Sequence, residues 1–185
     1  MALDLPEPVR EAVAAFARTE AARSPRARWV RPEGMHLTLA FLGEVAPARL
    51  PFLIATLAEV CARHPPFPLR VEGAGAFPPR GPSRALWLGC PAGAALAPFQ
   101  RAVAEQAAAA VGLTPEARPF HPHLTLARTP EPWRRDAVER LVAAAAGRSF
   151  GEPFEVTEGV LMESELAPGG SRYRALERFA LGGAA

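Results

Sequence analysis

Four histidines occur in the chain, and two of them stand in the same setting, His36-Leu37-Thr38-Leu39 and His123-Leu124-Thr125-Leu126. Side chains in a β-strand alternate between faces, so His36 shares a face with Thr38, and His123 shares one with Thr125, while leucines take the opposite faces. Each strand then buries leucine behind and offers an imidazole and a hydroxyl in front. Two such strands meeting at one cleft would surround a single reacting centre with two proton-transfer groups and two small hydrogen-bond donors. That set suits hydrolysis of a strained cyclic phosphodiester. Water must lose a proton, a ribose oxygen must gain one as it leaves, and the equatorial oxygens must be held. The ordinary pKa of histidine lies near neutrality, which lets one ring act as base while the other acts as acid. A threonine hydroxyl holds a phosphate oxygen without adding charge.

A single His-x-Thr strand is most often a half-exposed polar surface, and it is the recurrence that carries weight. With seven threonines in the chain, two of four histidines followed by Thr at the second position arise by chance with a probability of order 1%. His64 and His121 have no such companions and read as surface or loop residues. No carboxylate or cysteine stands at ligand spacing to either motif, so no metal site is expected. Cys61 and Cys90 are too few for a disulfide framework and read as reduced thiols.

The elements that must position these residues follow from periodicity and breakers. Val9, Val13, Phe16 and Ala17 recur at helical spacing from Glu7 to about Arg23, after prolines that suit a helix start. Trp29-Val30 and the stretch from His36 to Gly43 read as a strand pair. Pro47 opens a helix through about Arg63, and Gly112 suits the C-cap of a helix from Ala94 to Val111. Strands are expected over Phe67 to Phe77 and Ala85 to Gly89, with a Pro/Gly/Arg loop at 78–84 between them. A strand at 122–128, a helix at about 132–147 and strands near 152–163 and 172–181 complete the chain. The motifs lie 123 − 36 = 87 positions apart, which suggests a rough internal duplication. Mixed elements with hairpin-length loops favour an α+β fold.

Composition bounds the rest. At 185 residues and 49% hydrophobic, the chain fits one domain spanning 1–185 with a real core. No apolar run approaches a membrane span, and no basic and apolar leader opens the chain, so a cytoplasmic monomer is expected. All 21 basic residues are arginine and the net charge is +2. That total is too small to argue nucleic-acid binding, but guanidinium suits phosphate. Arg23, Arg26, Arg28 and Arg31 crowd the approach to the first motif, and Arg118 and Arg128 flank the second.

The sequence resembles the 2H phosphoesterase superfamily, and within it the bacterial RNA 2′,3′-cyclic phosphodiesterases historically called 2′-5′ RNA ligases. Besides the paired motifs, the resemblance rests on Ala2-Leu3-Asp4-Leu5-Pro6, Phe41-Leu42-Gly43-Glu44-Val45, Leu86-Trp87-Leu88-Gly89 and Pro168-Gly169-Gly170-Ser171-Arg172-Tyr173. It implies a bilobal α+β fold, each lobe an antiparallel sheet backed by helices around a central cleft, with no metal and no nucleotide cofactor. It also implies a catalytic pair, His36 and His123, with Thr38 and Thr125 on phosphate. The substrate would be RNA ends or tRNA fragments bearing a cyclic phosphate, opened to a 2′-phosphate. Joining of RNA halves through 2′-5′ linkages and a non-catalytic RNA-end binding module are the alternatives. Arg128 matches a family position associated with phosphate binding, yet strict alternation from His123 puts it on the leucine face. Phe41 alternates to the buried side in the same way, which predicts a core role. Relatives commonly carry an aromatic-rich strand before the Ala-Leu-Asp-Leu-Pro segment, so a longer native N-terminus is expected.

Overall fold

The computed structural model describes residues 1–24, 26–91, 93–167 and 170–183. Its helices form where the sequence pattern predicts them. α1 spans Glu7–Arg23 and begins behind Pro6, with Pro8 in the first turn, where a missing N–H costs nothing. It buries Val9, Val13, Phe16 and Ala17. α2 covers Leu50–Ala62, entered through a 3-10 turn at Pro47–Arg49, and buries Leu53, Leu57, Val60 and Cys61. α3 covers Leu96–Val111 and closes at Gly112, whose φ of 76° is left-handed, the conformation that favours glycine at this cap. α4 covers Arg135–Ala145.

The strands are β1 (Ala2–Leu3), β2 (Arg28–Trp29), β3 (Leu37–Thr38), β4 (Phe67–Leu69), β5 (Glu72–Phe77), β6 (Ala85–Gly89), β7 (His123–Arg128), β8 (Phe154–Val156), β9 (Glu158–Ala167) and β10 (Gly170–Ala180). Eight of them form one sheet in the order β10-β9-β1-β3-β7-β6-β5, with β2 also paired to β7, and β4 pairs β8 apart from it. Every strand pairing in it is antiparallel. The α+β class is therefore as expected, and strands from the two halves of the chain interleave in one continuous sheet, with the two motif strands side by side where β3 lies against β7.

Three differences from the sequence reading have local causes. β2 and β3 do not pair with each other. A 3-10 turn at Pro32–Gly34 offsets the chain, so both lie along β7, Trp29 opposite Ala127 and Leu37 opposite Leu124. The strand expected to run on to Gly43 ends early, because the N–H groups of Leu39 and Ala40 both go to the Met1 carbonyl, at 3.0 and 3.2 Å. The stretch 67–77 divides into β4 and β5, which belong to different sheets.

The leucines of both motifs fall in one connected core, Leu37, Leu124 and Leu126 at 0% exposure and Leu39 at 3%. Burying each side chain is worth about 1.5–3 kcal/mol. A one-residue slip of either strand would bury its histidine and expose these leucines, so the register is strongly specified. Among the described residues, no helix is long and apolar enough to cross a membrane.

Candidate active site

β3 and β7 run antiparallel with Leu37 opposite Leu124. The same register, extended one residue each way, sets Thr38 across from His123 and His36 across from Thr125. Alternation puts these four side chains on the face opposite the leucines, at the corners of a square. The two histidines occupy a diagonal, a relation that separates backbones by about 7–8 Å and leaves long side chains within mutual reach. Thr38 is exposed and the other three are half-buried. Two imidazoles can therefore bracket one phosphate-sized centre with a hydroxyl beside each.

Each ring has the backbone carbonyl two residues upstream as a neighbour. Nδ1 of His123 lies 2.7 Å from the carbonyl oxygen of His121. That oxygen can only accept, so Nδ1 carries the proton and Nε2 is left for the open face. The Gly34 carbonyl, again two residues upstream, favours the protonated form of His36. Aromatic rings back each imidazole. Tyr173 of β10 sits edge-on to His36 at 4.6 Å between centroids, and Phe77 of β5 sits edge-on to His123 at 4.9 Å. Trp87 of β6 packs on Phe77 at 5.4 Å and on His121 at 4.6 Å.

Burial holds both imidazoles below their ordinary pKa. For His36, desolvation is followed by the α-amino charge of Met1, against which the Gly34 carbonyl and the Asp4 carboxylate favour the proton. For His123, desolvation is opposed by the His121 carbonyl, and the nearby charges of His121 and Arg128 both disfavour protonation. Asp4 is itself tied to Arg10 at 2.8 Å and to Arg178 at 3.2 Å.

Arg128 and Phe41 do not lie where alternation put them. Along the β6–β7 ladder Thr125 pairs with Trp87 and Ala127 with Leu86, so the register shifts and Leu126 is a β-bulge. Leu126 and Ala127 are both fully buried, and Arg128 turns out to the exposed face. Its charge reaches His123. Phe41 is 83% exposed, because β3 ends at Thr38 and the chain turns away before it.

His64 stands apart, its Nδ1 2.7 Å from the Val60 carbonyl and its ring against Phe99. His121 is exposed, as read, but its carbonyl and ring serve the neighbouring His123. The backing rings Tyr173, Phe77 and Trp87 were not singled out by sequence reasoning. Trp87 alternates with buried Leu86 and Leu88, and that parity was the available signal. Among the described residues, no three His, Cys, Asp or Glu side chains form a metal-binding group.

The model for the 2′-5′ RNA ligase superfamily matches residues 5–167. An Escherichia coli protein named RNA 2′,3′-cyclic phosphodiesterase is 36% identical over 184 residues, 97% of this chain and 94% of that one. One of the same name from Geobacillus stearothermophilus is 33% identical over 187 residues, and there the match covers all of this chain but 57% of the relative's length. The crystal structure of E. coli LigT complexed with 3′-AMP superposes with a TM-score of 0.75 at 32% identity, covering 97% of this chain and 95% of that one.

Proposed function

Because the chain belongs to the 2′-5′ RNA ligase superfamily, we propose that it is an enzyme that hydrolyses 2′,3′-cyclic phosphate ends of RNA to 2′-phosphate ends, without a metal. The observation that carries the reading is the pairing of Leu37 with Leu124, which makes His36, Thr38, His123 and Thr125 neighbours on one open face.

In this mechanism Nε2 of His123 takes a proton from water as the water oxygen bonds to phosphorus. The bond from phosphorus to the ribose 3′ oxygen breaks, and Nε2 of His36 delivers a proton to that oxygen. Thr38 and Thr125 donate to the non-bridging oxygens, and Arg128 adds positive charge at the edge of the site. The roles follow from one difference: a carboxylate, Asp4, favours a proton on His36 against the charges of the Met1 α-amino group and Arg10, whereas the charges acting on His123, those of His121 and Arg128, both disfavour one. Anionic phosphate in the cleft raises the proton affinity of both rings, so that one is charged in the complex.

His36→Ala and His123→Ala should each lower turnover of a nucleoside 2′,3′-cyclic phosphate by about 10²–10⁴, while EDTA leaves the rate unchanged. Wild-type activity in either variant would refute the mechanism. Phosphorus NMR of the product distinguishes a 2′-phosphate from a 3′-phosphate. The superfamily's name favours a second reading, joining of RNA halves through 2′-5′ linkages. Incubation with cyclic-phosphate and 5′-hydroxyl RNA ends separates the two by product length.

A further inference from the structure

β1 pairs with β3 so that Ala2 lies opposite Thr38 and Leu3 opposite Leu37. Continued by one residue, that register brings Asp4 across from His36 on the same face, a relation that sets Cβ atoms about 4.5–5.5 Å apart. Both oxygens of the carboxylate are engaged elsewhere. Oδ1 accepts from the Leu5 N–H at 3.0 Å and from Arg10 at 2.8 Å, and Oδ2 accepts from Arg178 at 3.2 Å.

Arg10 of α1 is the anchor of this group. Its side chain is only 16% exposed, and besides Asp4 it donates to the Leu5 carbonyl at 2.8 Å and to the Pro32 carbonyl at 3.1 Å. One planar guanidinium thus fastens the end of β1 to the 3-10 turn Pro32–Gly34, which leads directly into His36. Tyr173 closes the turn from the other side, since a Cβ added at Gly34 would stand 3.3 Å from its ring, and the same ring lies edge-on to His36. Arg178 of β10 carries the network outward, bridging Asp4 to Glu158 of β9.

We infer that Asp4 and Arg10 are positioning residues for His36: Arg10 clamps the Asp4 carboxylate and the Pro32–Gly34 turn in place, so that the imidazole meets the leaving oxygen in one orientation with an anion beside it. The inference rests on the proposed function for what His36 does, while the clamp itself does not. Burial alone would raise the Asp4 carboxyl, but the hydrogen bond and charge of Arg10, with those from Arg178 and Leu5, hold it below the ordinary carboxylate range, so it stays anionic at neutral pH. The other anion of the network, Glu158, is occupied by Arg178, and Glu33 of the turn is exposed. The cations around His36 are the Met1 α-amino group, Arg10 and, on β7, Arg128 with His123 when protonated. Tyr173 adds a neutral phenol.

Asp4→Asn keeps the shape of the side chain and removes its charge. The alkaline limb of kcat/KM for a nucleoside 2′,3′-cyclic phosphate, set by proton loss from His36, should move to lower pH by about one unit, a fall of about tenfold in rate above that limb. The acid limb, set by His123, should stay in place. Arg10→Met, shown folded by circular dichroism, should lower kcat about tenfold or more with KM near the wild-type value, because the acid is misaligned while the phosphate-binding groups are untouched. Its alkaline limb should not fall, since a cation has left the neighbourhood of His36. A folded Arg10→Met protein with wild-type kcat would overturn the clamp.

Proton NMR of the histidine rings decides the matter without turnover. The His36 signal, identified by its loss in His36→Ala, should titrate about one unit lower in Asp4→Asn than in the intact protein, with His123 close to its wild-type midpoint. An unmoved His36 midpoint refutes the clamp even if the enzyme is active. If no cyclic phosphate is opened by the intact protein, the hydrolase reading fails, and the titration still tests the pairing of Asp4 with His36.

Discussion

Replacing Gly75 with alanine tests whether the aromatic wall behind His123 positions that ring. Gly75 lies opposite Trp87 on the neighbouring strand. A Cβ added at Gly75 would stand 2.2 Å from Cζ2, 2.5 Å from Cη2 and 2.8 Å from Cε2 of the Trp87 indole. Carbon atoms settle at about 3.5–4.0 Å, so the indole must withdraw by roughly 1.3 Å or more. Its way is blocked by Phe77 at 5.4 Å and His121 at 4.6 Å between centroids. Phe77 in turn bears on His123, and the His121 carbonyl holds its Nδ1. The displacement is therefore handed to the imidazole. A misplacement of about 1 Å costs about 10² in rate, and overpacking costs about 1–3 kcal/mol in stability. The assay is kcat/KM on a nucleoside 2′,3′-cyclic phosphate, measured well below the variant's melting temperature. Gly93→Ala, where a Cβ meets nothing within 4 Å, is the control and should behave as wild type. The double variant Gly75→Ala with Trp87→Phe should recover part of the loss, because the colliding ring atoms are gone. A folded Gly75→Ala protein with wild-type kcat/KM would refute the reasoning.

The pH profile and the thiols give further tests. Burial first, and then nearby positive charge, lowers both histidines in the free protein. The bell of kcat/KM, which needs one ring neutral and one protonated, should therefore peak on the acid side of about 6.5. A maximum above that value in a steady-state pH series would contradict the assignment. Burial raises the Cys61 thiol to about 11 and drives Cys90 higher still. Neither should react with a disulfide reagent at neutral pH until the protein unfolds, and titration of the native protein showing a reactive thiol would sink this.

What could be read from sequence was what depends on local period. α1 and the Gly112 cap of α3 follow from apolar spacing and a single glycine, and strict alternation assigns the faces of His36, Thr38, His123 and Thr125. Their meeting could be expected from the repeated motif, but the register Leu37 opposite Leu124 is a long-range pairing that no local pattern encodes. Phe41 was misassigned because its strand stops where two N–H groups are drawn to Met1. Tyr173, 137 positions beyond His36 on the far hairpin, reaches that ring only through the pairing of β10 with β9 and β9 with β1.

The bulge at Leu126 gives β7 two opposite parities within six residues. Ahead of it, odd-numbered positions look into the cleft, and beyond it the even-numbered Arg128 does. Forcing β7 into regular alternation with Leu126 retained would act on side chains as a frameshift acts on codons. Everything from Ala127 onward would exchange faces, sending a guanidinium toward the apolar interior and an alanine to water. The motif His-Leu-Thr-Leu grafted onto a regular strand would thus carry over the proton-transfer chemistry and leave its cation facing the wrong way.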